Sequence, residues 1–337
     1  MNKLLHTPLT VHNVELANRL VMPPMATGKT PDGTVQDDLL AYYDARSKGG
    51  CIGLIVTEHA YISPEGKAHE GQLSVSRDTD IPGLTKLVET IHKNNTRVIA
   101  QINHAGSAAM EEITGYPAIS ASVTAQPEYA RKSEKPVREM TVDEMTVDDM
   151  HTVAKKFAEA ALRVKEAGFD GVEIHAAHGY LLDQFYSPLG NKRTDAYGGD
   201  LDGRIHLLLD VIRAVREAVG ADYLVALRLG ASDYTESGAT IDDAVYACKK
   251  FEKAGVDLLD ISGGFNGFTV KNRNGPGFFA DASSAIREAV HVPVILTGGV
   301  TKANEAEALL EEGAADLIGV GRAIFKDADW AKKEMAE

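Results

Sequence analysis

The chain has 337 residues, of which 44% are hydrophobic and 25% charged; 35 Lys and Arg against 49 Asp and Glu give a net charge of −14 at pH 7 with histidine neutral. This is the balance of a folded globular protein and excludes disorder as the dominant state. The acidic excess opposes binding to nucleic acid or an anionic membrane, because phosphate contacts need Lys and Arg, but it leaves room for a local basic pocket around one small phosphate.

In chain order, residues 1–20 mix His6, Pro8, His12, Asn13 and Glu15 among apolar positions, which is no signal-peptide core. No apolar run approaches the roughly 20 residues that span a bilayer. The expected setting is cytoplasmic. Short apolar runs at 19–22, 52–57, 97–102, 171–175, 223–228, 258–262, 294–297 and 317–320 read as strands. Most are β-branched or Leu-rich and unalternating, as strands buried on both faces are. Amphipathic stretches at 37–47, 83–92, 147–167, 202–219, 241–254, 282–289 and 302–311 read as helices, with Asp148 and Asp242 in first turns, where a carboxylate suits the helix N-terminus.

A phrase recurs where a helix ends and a strand begins: Glu-Ala-Gly-Phe-Asp-Gly-Val at 166–172, Lys-Ala-Gly-Val-Asp-Leu-Leu at 253–259, and a looser Glu-Gly-Ala-Ala-Asp-Leu-Ile at 312–318. Its glycine suits the left-handed position that stops a helix. Strands alternating with helices predict a parallel sheet. Eight of them with no evident second domain favour a closed (β/α)8 TIM barrel over an open doubly wound sheet, as a single domain over residues 1–337. The stretch 103–146 exceeds an ordinary connection and predicts an insertion after strand three, a capping loop or small subdomain. Cys51 and Cys248 stand far apart without a CxxC, so neither a zinc ribbon nor an all-cysteine iron–sulfur cluster is supported, and no disulfide is expected.

In a barrel the chemistry sits where the strands end. Strand one ends in Pro23, Pro24, Met25 and Ala26, strand two near His59, and strand three at Gln101. Strand four ends in His175, with His178 and Tyr180 behind it, and strand five in Arg228. Strands seven and eight run into Gly298, Gly299, Gly321 and Arg322. Glycines let backbone N–H groups approach an anion, and Arg322 adds a fixed charge, so this end reads as a phosphate site for a sugar phosphate, a flavin or a pyridoxal phosphate. Tight turns are the plainer reading. Arg228 is either an internal ion-pair partner or a cation facing an anionic ligand. The amide of Gln101 suits the edge of a heterocycle. His175 and His178 read as two donors converging on a carbonyl oxygen, with Tyr180 as general acid. Their rival role is metal binding, which needs a third ligand from His59, His69 or His104.

These motifs together resemble the Old Yellow Enzyme family of FMN-dependent NAD(P)H oxidoreductases. The segments are Asn-Arg-Leu-Val-Met-Pro-Pro-Met at 18–25, Gln-Ile-Asn-His-Ala-Gly at 101–106 and His-Ala-Ala-His-Gly-Tyr-Leu-Leu-Asp-Gln-Phe-Tyr-Ser-Pro at 175–188. They continue with Asn-Lys-Arg-Thr-Asp-Ala-Tyr-Gly-Gly at 191–199, Arg204, and Gly-Val-Gly-Arg at 319–322. The resemblance implies one FMN in the barrel mouth. Pro23, Pro24, Met25 and Ala26 then line the isoalloxazine, Gln101 bonds its pyrimidine edge, and Arg228 lies by N1 and the C2 carbonyl. Gly298, Gly299, Gly321 and Arg322 hold the phosphate. It implies an ene-reductase, reduced by NADH or NADPH, that passes hydride from flavin N5 to the β-carbon of an α,β-unsaturated carbonyl compound. His175 and His178 bind the carbonyl oxygen and Tyr180 protonates the α-carbon. No metal is implied; the partners are small molecules, with a homo-oligomer left open.

The sequence departs from that family at several points. Ala26 stands where members commonly carry Cys or Thr, with Thr27 as a stand-in if the loop shifts by one residue. Gly28 replaces a substrate-contacting Tyr of some members. His59 occupies a place often held by a small residue beside the flavin, where its backbone still makes the contact. Larger relatives append an iron–sulfur motif and a dinucleotide-binding domain, neither of which is expected here. Arg193, Asp195 and Arg204 are expected to form a buried charge network that fixes the loop after strand four. The competing functions are a flavin dehydrogenase or demethylase with another acceptor, a flavin-binding redox protein with little turnover, and a metal-dependent hydrolase.

Overall fold

The computed structural model describes residues 4–123, 142–265 and 267–336. A hairpin opens the chain, β1 (Leu9–Val11) antiparallel to β2 (Val14–Leu16). Then follow β3 (Leu20–Met22), β4 (Leu54–Tyr61) and β5 (Arg97–Asn103), and a short parallel pair, β6 (Ala118–Ser120) with β7 (Val142–Glu144). The last strands are β8 (Gly171–Ala176), β9 (Leu224–Ser232), β10 (Leu258–Gly263), β11 (Val294–Thr297) and β12 (Leu317–Gly319). Eight strands close in the order β3-β4-β5-β8-β9-β10-β11-β12, every neighbouring pair parallel and β12 returning to β3. This is the (β/α)8 barrel that the alternating pattern predicts.

Local chemistry sets the helices between them. Thr146 accepts the N–H of Asp149 while the Asp149 carboxylate accepts that of Thr146, which starts the helix Val147–Glu166. Thr240 and Asp243 do the same for Ile241–Ala254, and Gly255, at φ 109°, ends it in the left-handed region. Such caps contribute about 1 kcal/mol each. Met150, Val153, Phe157, Ala160, Ala161 and Val164 recur at helical spacing, are buried, and turn one stripe of Val147–Glu166 towards the barrel and the helix His206–Val219. The helix predicted at 202–219 is two pieces, Leu201–Arg204 and His206–Val219. The hairpin escapes the sequence pattern because Thr10 and Glu15 interrupt its two short strands, so neither is an unbroken apolar run.

Inside the barrel, side chains two apart along each strand form layers. The lower layers are apolar, built from Leu54, Val56, Ile99, Leu224, Ala226, Leu258, Ile295 and Leu317, and the hairpin's Val11, Val14 and Leu16 seal them from below. The next layer is polar: Gln101, Glu173, Arg228 and Asp260, all at most 4% exposed. A dry apolar floor therefore supports a polar layer directly beneath the mouth, where burial strengthens every charge interaction. Among the described residues no helix is long and apolar enough to cross a membrane.

Of the predicted insertion at 103–146, residues 124–141 lie outside the described residues. Its flanks carry the β6–β7 pair and a short helix, Glu111–Thr114.

Candidate active site

A cavity of about 730 Å³ opens at the C-terminal ends of the strands, lined by the fourteen residues assigned to flavin or substrate carbonyl, while Thr27, His69 and His104 are not in its wall. Its walls divide into an apolar side, a polar floor, a histidine–tyrosine cluster and a glycine-rich end.

The apolar side is Pro23, Pro24, Met25 and Ala26, the turn that leaves β3. The Thr27 N–H donates to the Glu58 carboxylate at 3.0 Å, which pins the turn. Burial pushes the Glu58 carboxyl up to about 7, while the bond from Thr27 pulls it down. Thr27 itself is absent from the cavity wall and its hydroxyl accepts the Lys29 N–H at 3.3 Å, so it does not stand in for Ala26. Gly28 is not among the residues lining the cavity, and an added Cβ there would meet nothing within 4 Å.

The polar floor pairs neighbours across strands. Gln101 donates to Glu173 at 2.8 Å, and Arg228 lies 3.4 Å from Asp260. Arg228 is an internal ion-pair partner and also lines the cavity. Its Nε is buried without a partner among the described residues, as is Glu173 Oε2. Burial first, then the charge of Asp260, raises Glu173 to about 8, against the opposing pull of Arg228. One buried cation therefore faces two carboxyls, one of which stays protonated at neutral pH.

His175 closes β8 and His178 follows in the left-handed region at φ 60°, as does Gly179 at φ 71°. For a histidine this backbone is uncommon, and here the surroundings fix it. The Gly179 N–H donates to buried Asp183 at 2.6 Å, and Gln184 donates to the Gly179 carbonyl at 2.6 Å. The turn brings the His175 and His178 rings to 5.1 Å at 85°, with Tyr180 5.2 Å from His175. Burial, aided by the charge of Arg228, holds both imidazoles well below their ordinary range, so both are neutral. Burial alone raises Tyr180 to about 12.

One bond sets the proton on His178. Its Nε2 lies 2.7 Å from Ser262 Oγ, which is 3.5 Å from an Arg228 Nη. Arginine can only donate, so Ser262 accepts from it and keeps its own O–H to donate to Nε2; in that arrangement the ring proton sits on Nδ1.

His59 owes its place to an irregularity in β4. Thr57 pairs with Ala100 but Ala60 with Ile102, so the strand carries one extra residue. Val56 faces the interior and, past this bulge, so does His59, three residues on instead of two. His59 lines the cavity, its ring 5.3 Å from that of Tyr180 and 6.1 Å from that of His175.

At the glycine-rich end stand Gly298, Gly299, Gly321 and Arg322, with Lys326 beside them. Gly299 has φ 73°, and a Cβ there would overlap the Gly275 carbonyl oxygen. A Cβ at Gly321 would come within 3.1 Å of Met25 Sδ and 3.3 Å of Pro23 Cγ, so glycine lets this end lie against the apolar turn.

Sequence reasoning missed Phe268 and Phe278, two aromatic rings of the mouth on a loop without periodicity, and gave Ser262 no role. It also overextended the charge network. Arg193 pairs with Asp195 and Glu144 and donates to the carbonyls of Ala121 and Met145. Arg204 instead donates to the carbonyls of Tyr186 and Gly199 and faces Asp243. Among the described residues no group of three or more His, Cys, Asp or Glu is placed to hold a metal ion. The His104 Nδ1 accepts the Gly106 N–H at 3.0 Å.

The chain matches the model of the NADH:flavin oxidoreductase / NADH oxidase family over residues 4–336. It is 38% identical over 336 residues to a "metal reductase" of Desulforamulus reducens, covering 99% of this chain and 49% of that protein. The chain thus spans about half the length of that relative. It is 37% identical over 342 residues to an "NADPH dehydrogenase" of Geobacillus thermodenitrificans, covering 99% of this chain and 95% of the relative. Among solved structures, an old yellow enzyme homologue from Zymomonas mobilis superposes with a TM-score of 0.84 at 25% identity, over 98% of this chain and 91% of that one.

Proposed function

The chain belongs to the NADH:flavin oxidoreductase / NADH oxidase family, that of old yellow enzyme, with FMN as cofactor and NADH or NADPH as reductant; from that premise we propose that it reduces the activated C=C bond of α,β-unsaturated carbonyl compounds. The cavity suits that cofactor. The buried, partnerless Nε–H of Arg228 calls for an acceptor, which the edge of an electron-rich heterocycle provides. Pro23, Pro24, Met25 and Ala26 would line the ring system, and Gln101 and Arg228 would face its pyrimidine edge. Gly298, Gly299, Gly321 and Arg322 would hold the phosphate. Bound FMN supplies the hydride, taken from the nicotinamide and given to the β-carbon.

The chain supplies the rest. His175 and His178 present neutral N–H donors to the carbonyl oxygen, where negative charge builds as the alkene is reduced. Donors fixed beforehand in a dry site are worth most at that moment. Tyr180 holds the proton for the α-carbon. A phenol raised to about 12 keeps that proton at any physiological pH and gives it up only to a strongly basic carbon. The observation that carries this reading is the convergence of His175, His178 and Tyr180, with the His178 proton directed by Ser262.

Tyr180→Phe tests it in anaerobic rapid mixing. Bleaching of the flavin by NADPH is expected to stay within about twofold of wild type. Reoxidation by cyclohex-2-enone is expected to slow by about 10²-fold or more, as for loss of a general acid. An unchanged reoxidation rate would remove Tyr180 as the acid.

A further inference from the structure

The mouth holds one histidine more than carbonyl recognition needs. His59 is 8% exposed, lines the cavity, and lies 5.3 Å from the Tyr180 ring and 6.1 Å from that of His175. Its tautomer can be read from its neighbours. Gln72 Oε1 accepts the Ala68 N–H at 2.6 Å, which fixes the orientation of the amide. The Gln72 NH₂ therefore turns to His59, donating to its carbonyl at 3.2 Å and to its Nδ1 at 3.0 Å. The Asn103 amide lies 3.2 Å from the same Nδ1, whose single lone pair the Gln72 NH₂ occupies. A ring nitrogen that accepts carries no proton, so the proton sits on Nε2. Burial, with the charges of His69 and Arg228, keeps the ring neutral down to about 3. His59 thus offers one N–H from the edge opposite Gln72 and Asn103.

A single carbonyl oxygen has two lone pairs, and His175 and His178 fill both. A third donor facing only carbon loses its water and gains nothing, which weakens binding. Its position beside Tyr180 places it near the carbon that Tyr180 protonates. We propose that His59 is a third substrate hydrogen-bond donor, and that it selects alkenes bearing a second acceptor oxygen next to the α-carbon. This deepens the preceding reading and rests on it: the substrate class narrows from enones to doubly activated alkenes such as α-(alkoxycarbonyl) enones.

The test is a binding titration of the oxidised FMN holoenzyme without nicotinamide, followed by flavin absorbance. The probes are cyclohex-2-enone and its 2-methoxycarbonyl derivative. Wild type is expected to bind the keto ester more tightly than the enone. In His59→Phe the keto ester Kd is expected to rise about tenfold, roughly what loss of a buried hydrogen bond produces. The ratio of the two Kd values is the readout and should fall towards one, and His59→Gln, which keeps an N–H, should restore much of the preference. Gln72→Met, outside the cavity wall, frees the tautomer and should lower the keto ester preference by a smaller factor; it carries the test if His59→Phe does not retain FMN.

Equal changes for both probes, or no change for either, would overturn the proposal. So would a shift of the flavin midpoint potential with an unchanged Kd ratio, which would assign His59 to the cofactor. Wild type that binds neither probe would overturn it as well. The parent reading fails by a different sign, reduced enzyme that neither alkene reoxidises, so the two failures are separable.

Discussion

Ser262 gives the sharpest prediction about the proton arrangement of the site. It is 1% exposed, and among the described residues its hydroxyl is the group that hydrogen-bonds a His178 ring nitrogen. Ser262→Ala removes the 2.7 Å bond and leaves Nε2 to compete for the ring proton. The net worth of such a bond is about 1 kcal/mol, a fivefold effect, which sets the lower bound. Complete loss of one donor at the developing oxyanion would cost about 10²–10³-fold, which sets the upper bound. A tautomer that is released but not inverted falls between, so reoxidation of the reduced enzyme by cyclohex-2-enone is expected to slow by about 5- to 50-fold. The loss should fall mainly on kcat, because the charge the donor meets exists in the transition state. Ser262→Cys, a weaker donor in the same place, should fall between alanine and wild type. The Arg228 contact at 3.5 Å makes the flavin midpoint potential the necessary control. An alanine variant with full FMN, an unmoved potential and a rate within twofold of wild type would refute the relay from Arg228 through Ser262 to His178.

Two further outcomes follow from the same geometry. The Glu58 carboxyl is raised from 4.5 to about 7 by burial, so the folded protein keeps a proton that the unfolded chain releases between those values. Its contribution is full below about 4.5 and lost as the pH rises through about 7. Glu58→Gln, which retains an acceptor for Thr27, is expected to match wild type at pH 5 and exceed its stability at pH 8, by at most about 3 kcal/mol; parallel denaturation profiles at both pH values would sink the idea. Gly299→Ala forces a side chain into the left-handed region and against the Gly275 carbonyl, a strain of about 1–2 kcal/mol or more. FMN is expected to bind at least about tenfold more weakly by fluorescence quenching, and equal affinity would show that this turn does not shape the cofactor end.

Much of this architecture is legible in the sequence for identifiable reasons. Strands buried on both faces stand out as unalternating runs, and the glycine of the recurring Ala-Gly-(Phe/Val)-Asp phrase, Gly168 and Gly255, marks where two of the helices stop. The direction of a parallel barrel then places His175, Arg228 and Gly321 at one mouth without further information. What stays hidden depends on contacts between distant segments. One extra residue in β4 reverses the face of His59, and no periodicity announces a bulge. The tautomers of His59 and His178 depend on Gln72 and Ser262, 13 and 84 residues away. Arg204 sits beside the conspicuous 191–199 signature yet pairs with Asp243 from another helix. Phe268 and Phe278 lie on an irregular loop, where hydrophobicity alone does not distinguish a pocket wall from an exposed side chain.

The central claim is that one cavity supports both reduction by nicotinamide and reduction of an activated alkene. One anaerobic visible-absorbance trace tests it: purified holoenzyme receives NADPH, or NADH, and then cyclohex-2-enone. The flavin bands are expected to bleach and to return when the enone is added. Bands that bleach and stay bleached would contradict the alkene reaction, and a protein that binds no FMN when it is supplied would contradict the site itself.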